Sequence, residues 1–266
     1  MAGSEERRVA LITGASGGIG EAFCDILAAE GYELAIAARR EAELSRVRGV
    51  IAGKHAVAVH AFSLDLSEDT ASEALSEELA ARGLVPNVVI NNAGIGLIGA
   101  AAQLPRRQQL RMIDLNVRAL TDLTLRYLPG MLSARAGGII NVASVAGFLP
   151  GPQMAVYFAT KAYVLSFTDA ISQEVKGKGV TITSLCPGPV DTDFQERAGM
   201  KQARALSRVK PMSAQEVARA GWAGFKAGER MVIPGVLNKI TAYGARSAPR
   251  RLLLPIAQKA VGSAKA

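Results

Sequence analysis

The chain has 266 residues, of which 49% are hydrophobic and 20% charged, with a formal net charge of +8. This balance excludes a disordered polar chain, and the length suits a single α/β unit with a large core. Aromatic residues are only 5% of the total and the basic residues are scattered, so a nucleic-acid-binding surface is not expected.

The charged stretch MAGSEERR leads straight into an apolar run, and no signal segment is expected there. Patterning predicts strands at 8–13, 33–38, 56–62, 87–91, 138–143, 180–185 and 231–233, separated by helices at 19–30, 41–52, 68–81, 105–128, 153–176 and 214–227. The strands are almost wholly apolar rather than alternating, as when helices cover both faces of a parallel sheet. Gly31 and the pair Gly177 and Gly179 read as helix stops. Strand–helix alternation therefore predicts an α/β fold, a doubly wound parallel sheet of about seven strands flanked by helices, Rossmann-type, forming one domain over 1–266.

Two segments depart from the alternation. The connection at 193–212 is longer and more polar than a strand–helix turn needs, and reads as a substrate lid. The tail 235–266 is amphipathic but interrupted by Pro249 and Pro255; its Arg250-Arg251-Leu-Leu-Leu run is a weak candidate for membrane contact, which the prolines and shortness argue against. No run of about 20 apolar residues predicts a membrane span. Cys24 and Cys186 form no CxxC pair, and His55 and His60 are the only histidines, so no metal site is expected. These features together suggest a reducing, cytoplasmic setting.

After the first strand comes TGASGGIG, with Gly14, Gly18 and Gly20 opening directly into a helix. Such a turn lets the backbone approach a pyrophosphate, whose charge meets the helix N-terminus. After the second strand, AARRE sets Arg39 and Arg40 where an acid would accept the ribose 2′-hydroxyl of NAD. Guanidinium groups pair with phosphate through charge-assisted hydrogen bonds, so NADP(H) is the expected cofactor, with NAD(H) as the alternative. Asp65-Leu66, closing the third strand, is placed to flank an adenine ring.

In VYFATKAYVL, Tyr157 and Lys161 are four residues apart; on a helix this spacing turns ~400° and climbs ~6 Å, which puts both on one face. A free phenol titrates near 10 and moves protons poorly at neutral pH, whereas a neighbouring cation favours the phenolate and lowers that value. Tyr157 is then able to give a proton to a carbonyl oxygen or take one from an alcohol. Ser144, ending the fifth strand, supplies a hydroxyl to hold the same oxygen.

The motifs TGASGGIG (13–20), Asp65-Leu66, NNAG (91–94), Asn116 in DLNV, Ser144 in NVAS, YFATK (157–161) and PGPVDT (187–192) together resemble the short-chain dehydrogenase/reductase family in its shorter single-domain branch. The likeness runs from residue 8 to about 192. It implies cofactor contacts at Gly14, Ser16, Gly18, Ile19, Gly20, Asp65, Leu66, Asn91, Ala93, Gly94, Pro187, Gly188, Val190 and Thr192, the last fixing the nicotinamide carboxamide with the PGPV backbone. It also implies that Lys161 binds the nicotinamide ribose and that Asn116 holds a water linking Lys161 to solvent. Gly17 departs from the pattern, since that site is often basic in NADP-dependent members; Arg39 and Arg40 must then carry 2′-phosphate recognition alone.

Residues expected near the nicotinamide are mostly apolar: Val145, Phe148, Leu149, Met154, Val156 and Phe194. They suit a lipophilic ketone, aldehyde or acyl-type chain. Family members often pair the long helices at 105–128 and 153–176 across subunits, so a homodimer or homotetramer is expected. Two other readings are an epimerase or dehydratase using the same Tyr–Lys pair and a non-catalytic NAD(P) sensor. The first usually appends a substrate domain, and the second typically lacks Tyr or Lys.

Overall fold

The computed structural model describes residues 7–199 and 210–261. Among them are nine strands: β1 Val9–Thr13, β2 Glu33–Ala38, β3 Val59–Ser63, β4 Pro86–Asn91, β5 Gly138–Val142, β6 Thr181–Leu185, β7 Val190–Asp191, β8 Met212–Ser213 and β9 Met231–Val232. Seven form one parallel sheet in the order β3-β2-β1-β4-β5-β6-β9, while β7 and β8 pair by themselves. The helices are α1 Gly18–Ala29, α2 Glu41–Lys54, α3 Ala71–Ala81, α4 Arg106–Ile113, α5 Leu120–Ala134, α6 Ala155–Glu174, the short α7 Phe194–Arg197, α8 Ala214–Lys226, α9 Val236–Ser247 and α10 Arg250–Val261.

Why the strands read as unbroken apolar runs is clear from β1, all five of whose residues are buried. Ala10 and Ile12 pack on Phe23 and Leu27 of α1, Leu44 of α2 and Trp222 of α8. Val9 and Leu11 point the other way, towards Leu75 and Leu79 of α3, Leu123 of α5 and Ile171 of α6. Successive side chains thus enter opposite helical layers, and no position along the strand faces water.

From β1 the chain builds outwards through β2 and β3, then returns to lay β4 on the other side of β1. At that switch the carboxyl ends of neighbouring strands lead away from each other and a crevice opens. Thr13 holds it together: its Oγ1 accepts hydrogen bonds from the amides of Asn92 and Ala93, each at 3.0 Å. Asn92 Nδ2 donates in return to the carbonyls of Thr13 at 3.0 Å and Gly14 at 3.2 Å.

Two expectations need correction. The helix read at 105–128 is α4, a π-helical segment Asp114–Ala119 and α5, running on to Ala134 with Pro129 inside. Proline removes the hydrogen bond to the carbonyl four residues back, here that of Leu125, a residue on the exposed side of α5. In the tail, Pro249 falls in the break between α9 and α10, as expected of an interruption, whereas Pro255 does not interrupt: α10 runs through it.

Candidate active site

A cleft of about 660 Å³ runs along the carboxyl edge of the sheet. At one end lies the glycine loop, whose shape leaves no room for a side chain at Gly14 or Gly20. A Cβ on Gly14, which has φ 66°, would lie 2.9 Å from Ala93 Cα, and one on Gly20 would lie 2.4 Å from the Gly14 carbonyl oxygen. The loop feeds α1, which starts at Gly18 with no side-chain cap on its free amides. Uncapped amides and the partial positive charge of a helix start suit an anion approaching from the cleft. Thr192 closes the loop from the other side, since a Cβ on Gly18 would come to 3.0 Å of its Cγ2.

The cations at this end are differently disposed. Arg40 Nη2 donates to Ser16 O and Ser16 Oγ, both at 3.0 Å. A Cβ on Gly17 would be 3.6 Å from the same nitrogen, so Arg40 occupies the space beside residue 17 that a side chain there would share. Arg39 pairs with Asp65 at 3.6 Å, and Asp65 also takes an ion pair from Arg111. Partial burial alone would raise the Asp65 carboxyl, but hydrogen bonds from Ser67 and the two arginine charges hold it below its ordinary value. Arg197 of α7 lines the cleft as well, its acidity increased by burial and by the nearby charges of Arg40 and Arg39. Residues Gly14 to Ile19, Arg39, Arg40 and Arg197 therefore fit a phosphate-bearing dinucleotide.

At the inner end, β5 delivers Ser144 and α6 delivers Tyr157 and Lys161. Ser144 starts a 3₁₀ turn, Val145–Phe148; its Oγ accepts from the Ala146 amide at 3.1 Å and donates to the Pro187 carbonyl at 3.4 Å, and the hydroxyl lies close enough to Tyr157 to favour its phenolate. Lys161 donates to the Val142 carbonyl at 2.7 Å, and its Nζ stands 5.9 Å from the centre of the Tyr157 ring. An ammonium carries three donors, so Val142 engages only one of them.

The acid–base balance differs from the sequence expectation. Burial pushes the Tyr157 phenol up to about 12, with only the Ser144 hydrogen bond opposing it. Burial also brings Lys161 down to about 8. The lysine thus does not lower the tyrosine in the protein alone. Desolvation penalises the charged form of each group, and this outweighs their mutual influence across the ring.

Every residue expected to act in catalysis or to contact the cofactor lines the cleft except Asn91, Gly20 and Asn116. Gly20 packs beneath the loop, where only a hydrogen fits over the Gly14 carbonyl. Asn91 is buried behind it, donating to Asn141 Oδ1 at 2.9 Å and Thr124 Oγ1 at 3.1 Å, while Asn141 donates to Thr168 at 3.0 Å. This network ties β4 and β5 to α5 and α6. Asn116, in the π-helical segment, accepts from the Ile95 amide at 2.9 Å and donates to Ile95 O at 2.9 Å and Thr160 Oγ1 at 3.1 Å. Both its N–H donors are used. Its Oδ1 lies 3.3 Å, and Lys161 Nζ 3.7 Å, from where a Gly94 Cβ would stand, so the bare glycine leaves space beside both.

Of the apolar residues, Val145, Leu149, Met154 and Phe194 face the cleft, joined by Phe158, which the pattern did not single out. Phe148 instead packs towards Leu120 and Val164, and Val156 is not in the lining. The Phe194 ring sits 5.7 Å from that of Tyr157. Arg111 and Arg197 were also missed; neither lies in a recognisable motif, and only the fold brings them to the cleft. Of the lid, 193–199 and 210–212 are described, and the rest of the expected segment lies outside the described residues.

Comparisons agree with this geometry. The family model for short chain dehydrogenase matches residues 8–203. The chain is 35% identical over 216 residues to sulfoacetaldehyde reductase 2 of Chromohalobacter salexigens, spanning 79% of this chain and 85% of that protein. A short-chain dehydrogenase from Sphingobium yanoikuyae solved in complex with NADPH superposes with a TM-score of 0.80 at 30% identity, covering 90% of this chain and 93% of that one. One from Burkholderia phymatum in complex with NAD gives 0.81 at 26% identity, covering 90% and 92%.

Proposed function

Because the chain belongs to the short-chain dehydrogenase family, we propose that it reduces a carbonyl on a largely apolar substrate, with NADPH as the preferred hydride donor. The carrying observation is that Ser144, Tyr157 and Lys161 meet at the inner end of a cleft whose outer end is cationic and glycine-lined. The dinucleotide supplies the hydride when bound, and moving the proton falls to the protein. Tyr157 gives its phenolic proton to the carbonyl oxygen, while Ser144 holds that oxygen by a hydrogen bond. Lys161 uses its remaining donors on the nicotinamide ribose and favours the phenolate left behind. The space beside Gly94, next to Asn116 and Lys161, suits a water that returns the proton.

A phenol near 12 is protonated throughout the physiological range, so Tyr157 of the cofactor-free protein holds the proton that carbonyl reduction requires. The preference for NADPH rests on Arg40 beside the glycine loop, with Arg39 and Arg197 near it. A ribose 2′-phosphate relieves the mutual repulsion of this cluster, whereas a bare hydroxyl does not.

The sulfoacetaldehyde of the bacterial relative is not carried over. A sulfonate asks for a cation at the inner end, where the described lining offers Val145, Leu149, Met154, Phe158 and Phe194. Oligomerisation is part of the proposal: Leu110, Ile113, Leu125 and Tyr163 are exposed on α4, on the π-helical junction's flank, on α5 and on α6, the helices expected to pair. Following absorbance at 340 nm with a panel of lipophilic ketones and aldehydes, with NADPH and NADH in parallel, tests the reading. No carbonyl-dependent oxidation of either cofactor, or a clear advantage for NADH, overturns it.

A further inference from the structure

The last two helices are amphipathic the wrong way round for a helix that simply caps a core. On α9 the buried residues are Asn238, Ala242 and Ala245, while Val236, Leu237, Ile240 and Tyr243 are exposed. At about 100° per residue, the exposed stripe lies roughly opposite the buried one. On α10, Leu252 and Ile256 are exposed one turn apart, and Leu254 is exposed as well. Of thirteen large hydrophobic residues exposed among the described residues, these helices hold seven. Scattered exposed apolar residues are ordinary, but such a concentration marks a contact surface.

Charge selects what it contacts. From Arg230 to Ala266 the sequence has no Asp or Glu, and seven basic residues: Arg230, Lys239, Arg246, Arg250, Arg251, Lys259 and Lys265. Lys239 and Arg246 are two turns apart along one flank of the exposed α9 stripe, and Arg250 and Arg251 open α10. Two copies meeting through this face would set cation against cation with no acid to compensate. A basic flank beside protruding Leu, Ile and Tyr side chains matches an anionic lipid surface, in which the apolar stripe enters the acyl boundary and the bases meet headgroups. No described helix is long and apolar enough to cross a membrane, so the contact is peripheral. Pro249 falls between the helices and Pro255 within α10, so neither breaks the α9 stripe.

We propose that α9 and α10 dock this protein on anionic bilayers. Thr241 of α9 and Ala257 of α10 also line the cleft, so the helices that would touch lipid border the site on their other side. If the proposed apolar substrate is correct, the docked enzyme draws it from the bilayer; the docking itself stands without that reading.

Sedimentation of the full chain with phosphatidylcholine vesicles, with and without phosphatidylglycerol, is the test. Binding is expected only to the anionic vesicles and is lost at high salt. The pairs Ile240→Ser with Tyr243→Ser and Lys239→Gln with Arg246→Gln are each expected to weaken partitioning by about tenfold or more, with Tm and carbonyl reduction in solution unchanged. The proposal is overturned if the native chain stays in the supernatant at low salt, or if it binds neutral vesicles equally. It is also overturned if light scattering shows that Ile240→Ser breaks up an oligomer while vesicle binding is absent, since the face is then a subunit contact.

Discussion

The two ends of the cleft manage charge in opposite ways. At the outer end, cations are plentiful and partly solvated: Arg39 is exposed beside Asp65, and Arg40 leans on Ser16. At the inner end a single ammonium, Lys161, is 5% exposed, with Val142 O at 2.7 Å as its partner. Outer charges attract a ligand at small cost to the fold, because water screens them. The inner charge is costly to the fold and is placed where proton chemistry needs it.

The largest expected effect lies at the inner end. Tyr157→Phe is expected to lower kcat by about 10³-fold or more, the scale of general acid catalysis, while Tm and dinucleotide affinity remain native. Steady-state kinetics beside cofactor titration measures this, and near-normal turnover would erase the contrast between the two ends.

Lys161 sharpens it. Its folded value near 8 lies below the ordinary 10.5, so the charged form is penalised in the folded state at neutral pH. As pH rises from 8 to 10.5 the folded lysine has given up its proton while the unfolded one still holds it, and stability of the cofactor-free protein should rise across that window. The full shift corresponds to about 3 kcal/mol. Lys161→Met should remove this rise and be the more stable protein at pH 7, though inactive; thermal melts across pH decide it. Tyr157 acts in the opposite sense only above pH 10, where the unfolded phenol ionises first.

At the outer end, Arg40→Ala should weaken NADPH by about 10- to 100-fold and leave NADH nearly unchanged, as for loss of a charge-assisted contact. Arg197→Ala should follow the same direction at about a few-fold, because Arg197 stands on α7, with less of the loop's support. Titration with each dinucleotide reads both. Equal losses for NADH and NADPH would mean that these arginines serve the loop rather than a 2′-phosphate.

How far the sequence alone could be read follows from how local each feature is. Gly14 and Gly18 are legible because the loop's turn and the helix start are set by a few adjacent residues. Tyr157 and Lys161 are legible because helical pitch alone puts them on one face. Asn91, Gly20 and Asn116 sit in recognisable motifs, but their atoms are engaged behind the cleft, in a buried network, beneath a carbonyl and against Ile95. Arg111 and Arg197 were invisible, being 46 and 132 residues from Asp65 and joined to its neighbourhood only by folding. The outward apolar stripe of α9 was hidden as well, since periodicity shows that a helix has two faces without showing which one turns inwards.

The sequence by itself determined the parallel sheet, the glycine turn and the one-turn spacing of phenol and amine, because all three depend on short-range geometry and on apolar runs too continuous for any half-exposed arrangement. Tertiary structure alone decided the proton affinities of Tyr157 and Lys161, the gathering of Arg40 and Arg197, and the exposure of α9. Each of these depends on which distant groups exclude water from a given atom, and only the assembled chain sets that.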